Sequence, residues 1–150
     1  MSATPSLRVR EAVPEDATLL APLLGQLGYP VDAAALVKRM QRMLSRDDEI
    51  VLVAEGTPPS REALGLLALH VFPVLAYDAD VAMIMALVVA EGARGVGVGR
   101  ALIARCEAIA RERGASRLLV TTHLRRADAH AFYERLGFEH TGRRYVRTLR

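Results

Sequence analysis

Nine consecutive apolar residues, Val81–Val89 ("VAMIMALVV"), stand just ahead of glycines at alternate positions, Gly95, Gly97 and Gly99. An apolar run with no period of its own reads as a central strand buried on both faces. Glycine in regular structure costs roughly 0.5–1 kcal/mol against alanine, so three in so short a stretch require a reason. Strand, glycine turn and helix in that order make a ready anion site. The first N–H groups of the helix lack partners, its dipole favours negative charge, and bare backbone lets a phosphate come close. Two familiar versions fail. G-x-G-x-x-G needs glycine at position 100 or 102, where Arg100 and Leu102 stand. A Walker loop needs G-K-[ST], and no lysine is present there. A strand-to-helix turn using glycine for packing alone is the bland alternative.

The rest of the chain switches between the strand and helix periods. Leu7 to Glu11 alternates as a half-buried strand. Pro14, Glu15 and Asp16 open a helix whose stripe is Leu19, Leu20, Leu23, Leu24 and Leu27, with Pro22 inside it as a point of breakage. Asp32 caps a second helix over Ala33–Leu44, with Leu36, Met40, Met43 and Leu44 inward. Glu49 to Glu55 and Ala63 to Phe72 form a hairpin with an enlarged loop. After the glycines a helix runs from Val98 to Arg113, with Leu102, Cys106, Ile109 and Ala110 on one face, Glu107 and Arg111 paired, and Gly114 at its end. "SRLLVTT" is a strand, Ala127 to Leu136 a short helix stopped by Gly137, and Phe138 to Thr148 a final strand. The order β-α-α-β-β-β-α-β-α-β describes one α/β domain over residues 1–150 with a mixed sheet.

Composition narrows the function classes. No run of 18 apolar residues is present for a membrane span, and "MSATPSLRVRE" has no apolar core for a secretory signal. The single Cys106 excludes an internal disulfide framework or a cysteine-rich metal site, so a cytoplasmic protein is expected. The net charge is +3, and the arginines are scattered among acids such as Glu11, Glu15 and Asp16. No basic stripe with interleaved aromatics appears, so nucleic acid is not an expected partner.

What remains at the glycines is R-G-x-G-x-G, Arg94 through Gly99; downstream, Arg126 to Gly142 reads "RADAHAFYERLGFEHTG". Together these resemble the GNAT superfamily of N-acetyltransferases. Arg94, Gly97 and Gly99 match its [QR]-x-x-G-x-[GA] signature at a helix start, and the second segment matches its A-x-x-[FL]-Y-E-x-x-G-F. "LLGQLGYPVDA" is also usual in small bacterial members, and the resemblance covers essentially the whole chain. It implies a sheet that splays after the Val81–Val89 strand and acetyl-coenzyme A as co-substrate. The pyrophosphate would lie on the amides of Gly95, Val96, Gly97, Val98, Gly99 and Arg100, with Arg94 or Arg100 adding charge. The pantetheine arm would pair with the backbone of Leu87, Val88 and Val89, and the N–H of Val88 would hold the thioester oxygen. Phe132 and Tyr133 would lie along the coenzyme, with the Tyr133 hydroxyl aimed at its sulfur. Arg125 and Arg126 suit coenzyme phosphates or an acidic substrate group, and equally a solvated helix start that Asp128 caps.

Acetyl transfer to an amine needs a proton removed, since an ammonium with a pKa of about 10.4 has no lone pair. It also needs a stabilised oxyanion and a proton for the leaving thiolate. Tyr133 is the implied proton donor, although Ala129, Phe132, Tyr133 and Leu136 at helical spacing also describe a core stripe. For the base, many members of the superfamily carry a carboxylate on the central strand, where this chain has Met83, Ile84, Met85 and Ala86. Glu91, Asp78, Asp80 and His70 are substitutes, His70 lying in an apolar run that suits a satisfied core histidine. Cys106 falls on a buried stripe and reads as packing, and His123 and His130 have no ligand set, so no metal is expected. The expected function is N-acetyl transfer by direct attack in a ternary complex; an acyl-coenzyme A sensor that has lost catalysis is the alternative. Leu27, Tyr29, Met40, Tyr77, Asp78 and Asp80 suit a cationic acceptor, small molecule or peptide, and equally a homodimer contact.

Overall fold

Five strands line up in sequence order in one sheet: β1 (Leu7–Glu11), β2 (Glu49–Gly56), β3 (Ala63–Phe72), β4 (Val81–Val89) and β5 (Arg117–Val120). This computed structural model describes residues 6–59, 61–121 and 127–150. They fall in two compact units, Met1–Leu119 and Val120–Arg150. β1 to β4 are antiparallel neighbours. Helix α1 (Ala17–Leu27) and helix α2 (Ala33–Leu44) lie between β1 and β2, and helix α3 (Val98–Glu112) carries the chain from β4 to β5. A helical crossover between adjacent strands is what a parallel pair requires, so the sheet is mixed. The Ser116 N–H donates to the Asp80 carbonyl at 2.9 Å, joining β4 and β5 where both begin.

The sheet carries a core on each face. On one, Val51, Val53, Leu66, Ala68 and Val88 pack with Leu20, Leu23, Leu36 and Met40 of α1 and α2. On the other, the buried side chains Leu102 and Cys106 of α3 meet the face that bears Gly65, Leu67 and Leu69. Asp32 caps α2 by accepting the Ala35 N–H at 2.7 Å.

α1 runs unbroken through Pro22, contrary to the sequence expectation. Pro22 and Thr18, whose carbonyl loses its partner, are both exposed, so solvent can satisfy that carbonyl while Leu20 and Leu23 hold the helix down. The expected final strand over Phe138 to Thr148 is also absent: residues 138–150 have no regular structure. Tyr145, Val146 and Leu149 are 86%, 72% and 90% exposed. β-propensity measures fit to a pleated, half-buried surface, and these side chains have none.

Arg10 ties the N-terminal elements together. Its guanidinium donates to both Asp16 oxygens at 2.9 Å and to Glu55 at 3.1 and 3.2 Å, while Asp16 also accepts the Val13 N–H at 2.8 Å. These hydrogen bonds, led by that of Arg10, hold the Asp16 carboxyl below its usual range against the opposing effect of burial. A lowered carboxyl stabilises the fold above its unfolded pKa of about 3.9, and the contribution disappears as pH falls through the lowered value. We expect Asp16→Asn to lose about 3 kcal/mol in urea denaturation at pH 7 and to show a shallower acid decline than wild type. An unchanged midpoint would reduce this network to surface decoration.

Candidate active site

β4 does not pair with β3 in one continuous register. Ala68 lies opposite Ala86 and Leu69 opposite Ile84, so Met85 has no partner and forms a bulge. The extra residue exchanges the faces of the strand. Beyond it Ala86 and Val88 join the α1/α2 core, and before it Ile84 turns to the α3 side beside Leu69. Burial on both faces, expected from the apolar run, fails here: Met85 is 57% exposed, and Met83, Ala86, Leu87 and Val89 are only half-buried. A bulge lifts its residue out of the ladder and with it out of the packing.

The same ladder decides which backbone groups of β4 are free of β3. Antiparallel partners alternate between bonded and outward-facing residues. Ala90 donates to the Leu64 carbonyl at 2.8 Å, which puts Val88 and Ala86 in the bonded set and turns the N–H and C=O of Leu87 and Val89 outward. The donor expected at Val88 is therefore engaged with β3, and Leu87 is the residue whose N–H faces out. β5 is four residues long against nine in β4 and is joined to it at the Asp80 end. Among the described residues, no strand borders the outward edge at Leu87 and Val89.

The chain then turns through a 3-10 segment, Glu91–Ala93, whose first N–H donates to Gln26 of α1 at 2.9 Å. Gly95 and Gly97 follow with φ of +81° and +88°, in the left-handed region that other residues rarely adopt. A Cβ at either would meet nothing within 4 Å, so the space above this backbone is open. Gly97 is the N-cap of α3 and supplies no side-chain cap, leaving the amides at the helix start for an outside acceptor. Arg94, Val96 and Arg100 are exposed beside them, whereas Val98 and Gly99 are buried in the first turn. Close approach here also depends on Gly65. A Cβ there would stand 2.9 Å from Val98 Cγ1, 3.0 Å from the Val88 carbonyl oxygen and 3.1 Å from Leu102 Cδ1. Sequence reasoning passed over Gly65, although a lone glycine within an apolar strand is a signal of close backbone approach. Outward amides on an unbordered edge and an open, uncapped glycine turn fit a ligand with an amide-bearing arm and a diphosphate.

In the second unit, helix α4 (Ala127–Arg135) ends on Gly137 at φ +90°. The Phe138 N–H donates to the Tyr133 carbonyl at 3.0 Å and that of Gly137 to Glu134 at 3.0 Å. This is a Schellman ending, and its usual apolar contact is made by the rings of Phe138 and Tyr133, 5.5 Å apart edge to face. Phe132 touches Tyr133 in the same way at 5.4 Å. The segment "FYERLGF" therefore fixes the Tyr133 ring through local backbone geometry. Arg125 and Arg126 lie outside the described residues, as does His123.

His70 is satisfied, as a rim histidine would be. Its Nδ1 lies 2.8 Å from Glu49 Oε1 and 3.2 Å from the Asp48 carbonyl, and its ring stacks on Phe72 at 4.7 Å. Donor atoms of Asp48, Glu49 and His70 come within 4.8 Å of one another, but Arg46 already holds both Asp48 oxygens at 2.9 and 2.7 Å. Cys106 is fully buried, and burial, with Glu107 adding, pushes its thiol up to about 12. Such a thiol is no nucleophile.

An Acetyltransferase (GNAT) family model matches residues 21–138. The aminoalkylphosphonate N-acetyltransferase of Salmonella typhimurium is 34% identical over 88 residues, 59% of this chain and 57% of that protein, so the match spans just over half of that relative. An acetyltransferase of Trypanosoma brucei superposes with a TM-score of 0.82 at 25% identity, over 96% of this chain and 100% of the other. An aminoglycoside N-acetyltransferase solved with CoA superposes with a TM-score of 0.84 at 19% identity, over 100% of this chain and 99% of that one. The chain belongs to the GNAT acetyltransferase family.

Gly97→Val places a branched side chain at φ +88° and over the open turn, and should weaken coenzyme binding at least tenfold by calorimetry. Gly65→Ala should instead cost about 1–3 kcal/mol of stability by crowding Val98. Unchanged affinity in the first variant would leave the glycines with a folding role only.

Proposed function

We propose that this chain acetylates a small-molecule amine by direct attack on bound acetyl-coenzyme A, without a covalent enzyme intermediate. The observation that carries the proposal is the edge of β4, where Leu87 and Val89 face outward just before an uncapped, glycine-opened helix. In this reading the pantetheine amides pair with Leu87 and Val89 as a short added strand, with Val88 between them buried toward the α1/α2 core. The diphosphate takes the amides from Gly95 through Arg100, and Arg94 and Arg100 supply charge. The Leu87 N–H receives the developing thioester oxyanion, a contact typically worth about 2.7–4 kcal/mol. Buried Cys106 supports direct transfer, since it offers no thiolate to carry the acetyl group.

Tyr133 is assigned as the proton donor to the leaving thiolate, supported by the match of "AFYERLGF" to the family motif and by the ring contacts that hold it. Phe132 and Arg126 keep their assignment to the coenzyme. For the acceptor, the Salmonella typhimurium relative puts an aminoalkylphosphonate first among amines to try. Asp78 and Asp80, on the segment between β3 and β4, support a cationic amine as the competing class. A cytoplasmic location is supported by the single, unpaired cysteine.

The test is acetyl-coenzyme A titration followed by thiol release against an aminoalkylphosphonate, an aminoglycoside and a peptide N-terminus. Turnover on at least one is expected; tight binding with none acetylated would make the protein an acyl-coenzyme A sensor. Tyr133→Phe should lower kcat about 100-fold or more with coenzyme affinity unchanged. A variant with full kcat would return Tyr133 to a packing role.

A further inference from the structure

We propose that Asp48, Glu49 and His70 form a structural site for a divalent transition-metal ion, Zn2+ foremost, that fastens the turn after α2 to the sheet. Glu49 opens β2 and lies directly opposite His70 of β3, so the two side chains share a face with Cβ atoms about 4.5–5.5 Å apart. Asp48 stands one residue ahead, and its carbonyl is pinned to β3 by accepting the Val71 N–H at 2.9 Å. Nδ1 of His70 lies 2.8 Å from Glu49 Oε1 and 3.2 Å from that carbonyl. One donor atom from each of the three side chains falls within 4.8 Å of the others. Ligands of a tetrahedral zinc, with bonds of about 2.0–2.2 Å, stand roughly 3.3–3.5 Å from one another. Small rotations of the two carboxylates bring this set to that spacing.

A proton serves the cluster poorly. Nδ1 can carry one, with two acceptors in front of it and a second carboxylate close by. A dication meets the nitrogen and the oxygens together. An imidazole in the set selects zinc and its neighbours over Ca2+ and Mg2+, which take oxygen ligands. The ring is held in place by its stack on Phe72 at 4.7 Å. All three side chains are half-buried, so the site is partly dehydrated yet open to a water as remaining ligand. Arg46, which holds the Asp48 oxygens, is the competitor. Its side chain is 62% exposed, and an exposed ion pair contributes little, so an ion displaces it readily. The site stands apart from the coenzyme edge: Met83, opposite His70, is a strand rise of roughly 12–13 Å from Leu87. Its effect is on the fold, because an ion that binds only the native arrangement raises Tm with its concentration.

The test is Zn2+ titration of chelator-treated protein, by calorimetry and thermal unfolding, with Mg2+ at the same concentrations alongside. One ion per chain is expected, with a Tm that rises with Zn2+ and not with Mg2+. His70→Ala and Glu49→Gln should each weaken Zn2+ binding at least about tenfold, while coenzyme affinity within about twofold of wild type reports an intact fold. Arg46→Ala should tighten Zn2+ binding roughly twofold to fivefold, the factor that an exposed ion pair's worth corresponds to. No saturable heat and no Tm rise at about a hundredfold excess of Zn2+ would overturn the proposal, as would an equal response to Mg2+. Zn2+ bound as tightly by His70→Ala as by wild type would be an adventitious ion only. Should His70→Ala fail to fold, the surface variant Arg46→Ala decides: unchanged or weaker affinity there would equally overturn the site.

Discussion

A backbone N–H that points away from its own sheet must find an acceptor, because leaving it dry and unpaired costs as much as a lost hydrogen bond. In this protein the constraint falls on the far end of β4. β3 takes Ala86, Val88 and Ala90, β5 keeps to the Asp80 end, and the outward groups of Leu87 and Val89 border no strand among the described residues. Under the proposed function, the ligand that replaces the missing strand is defined by backbone before any side chain is considered. It has to be extended, carry amides, and end where the helix α3 amides and the arginines lie.

The other features of the first unit serve that edge. The Met85 bulge lets both halves of β4 bury residues, Ile84 toward α3 and Val88 toward α1 and α2, while the strand bends between them. Gly65 lets the first turn of α3 approach the sheet closely enough for its amides to stand next to the strand end. Gln26 pins the turn that connects them. The polarity of the arrangement also explains the chemistry left to side chains. In the proposed reading backbone donors hold the coenzyme and the oxyanion, which leaves side chains only the movement of protons, and Tyr133 is the group assigned to that.

Much of this was legible in the residues. The bounds of β1, β3, β4 and α2 follow from period and capping, and the glycine turn lies where its position between a strand and a helix placed it. The bulge was not legible: in a run where every residue is apolar, a one-residue slip leaves the pattern unchanged, so neither Met85's exposure nor the inversion of Val88 and Leu87 could be read. The final strand was overread, since "GRRYVRTLR" alternates well enough for a strand but has no surface to lie on. Glu49 and His70 are 21 positions apart and meet only because β2 and β3 pair in that register. Pairing registers of this kind are tertiary facts.

Amide hydrogen exchange followed residue by residue, with and without acetyl-coenzyme A, tests the central claim most directly. The account predicts that Val88 exchanges slowly in the free protein, that Leu87 and Val89 exchange fast, and that coenzyme slows Leu87, Val89 and the amides from Gly95 to Arg100 together. Protection of Leu87 and Val89 before any ligand is added, or coenzyme protection that spares both the β4 edge and the glycine turn, would contradict it.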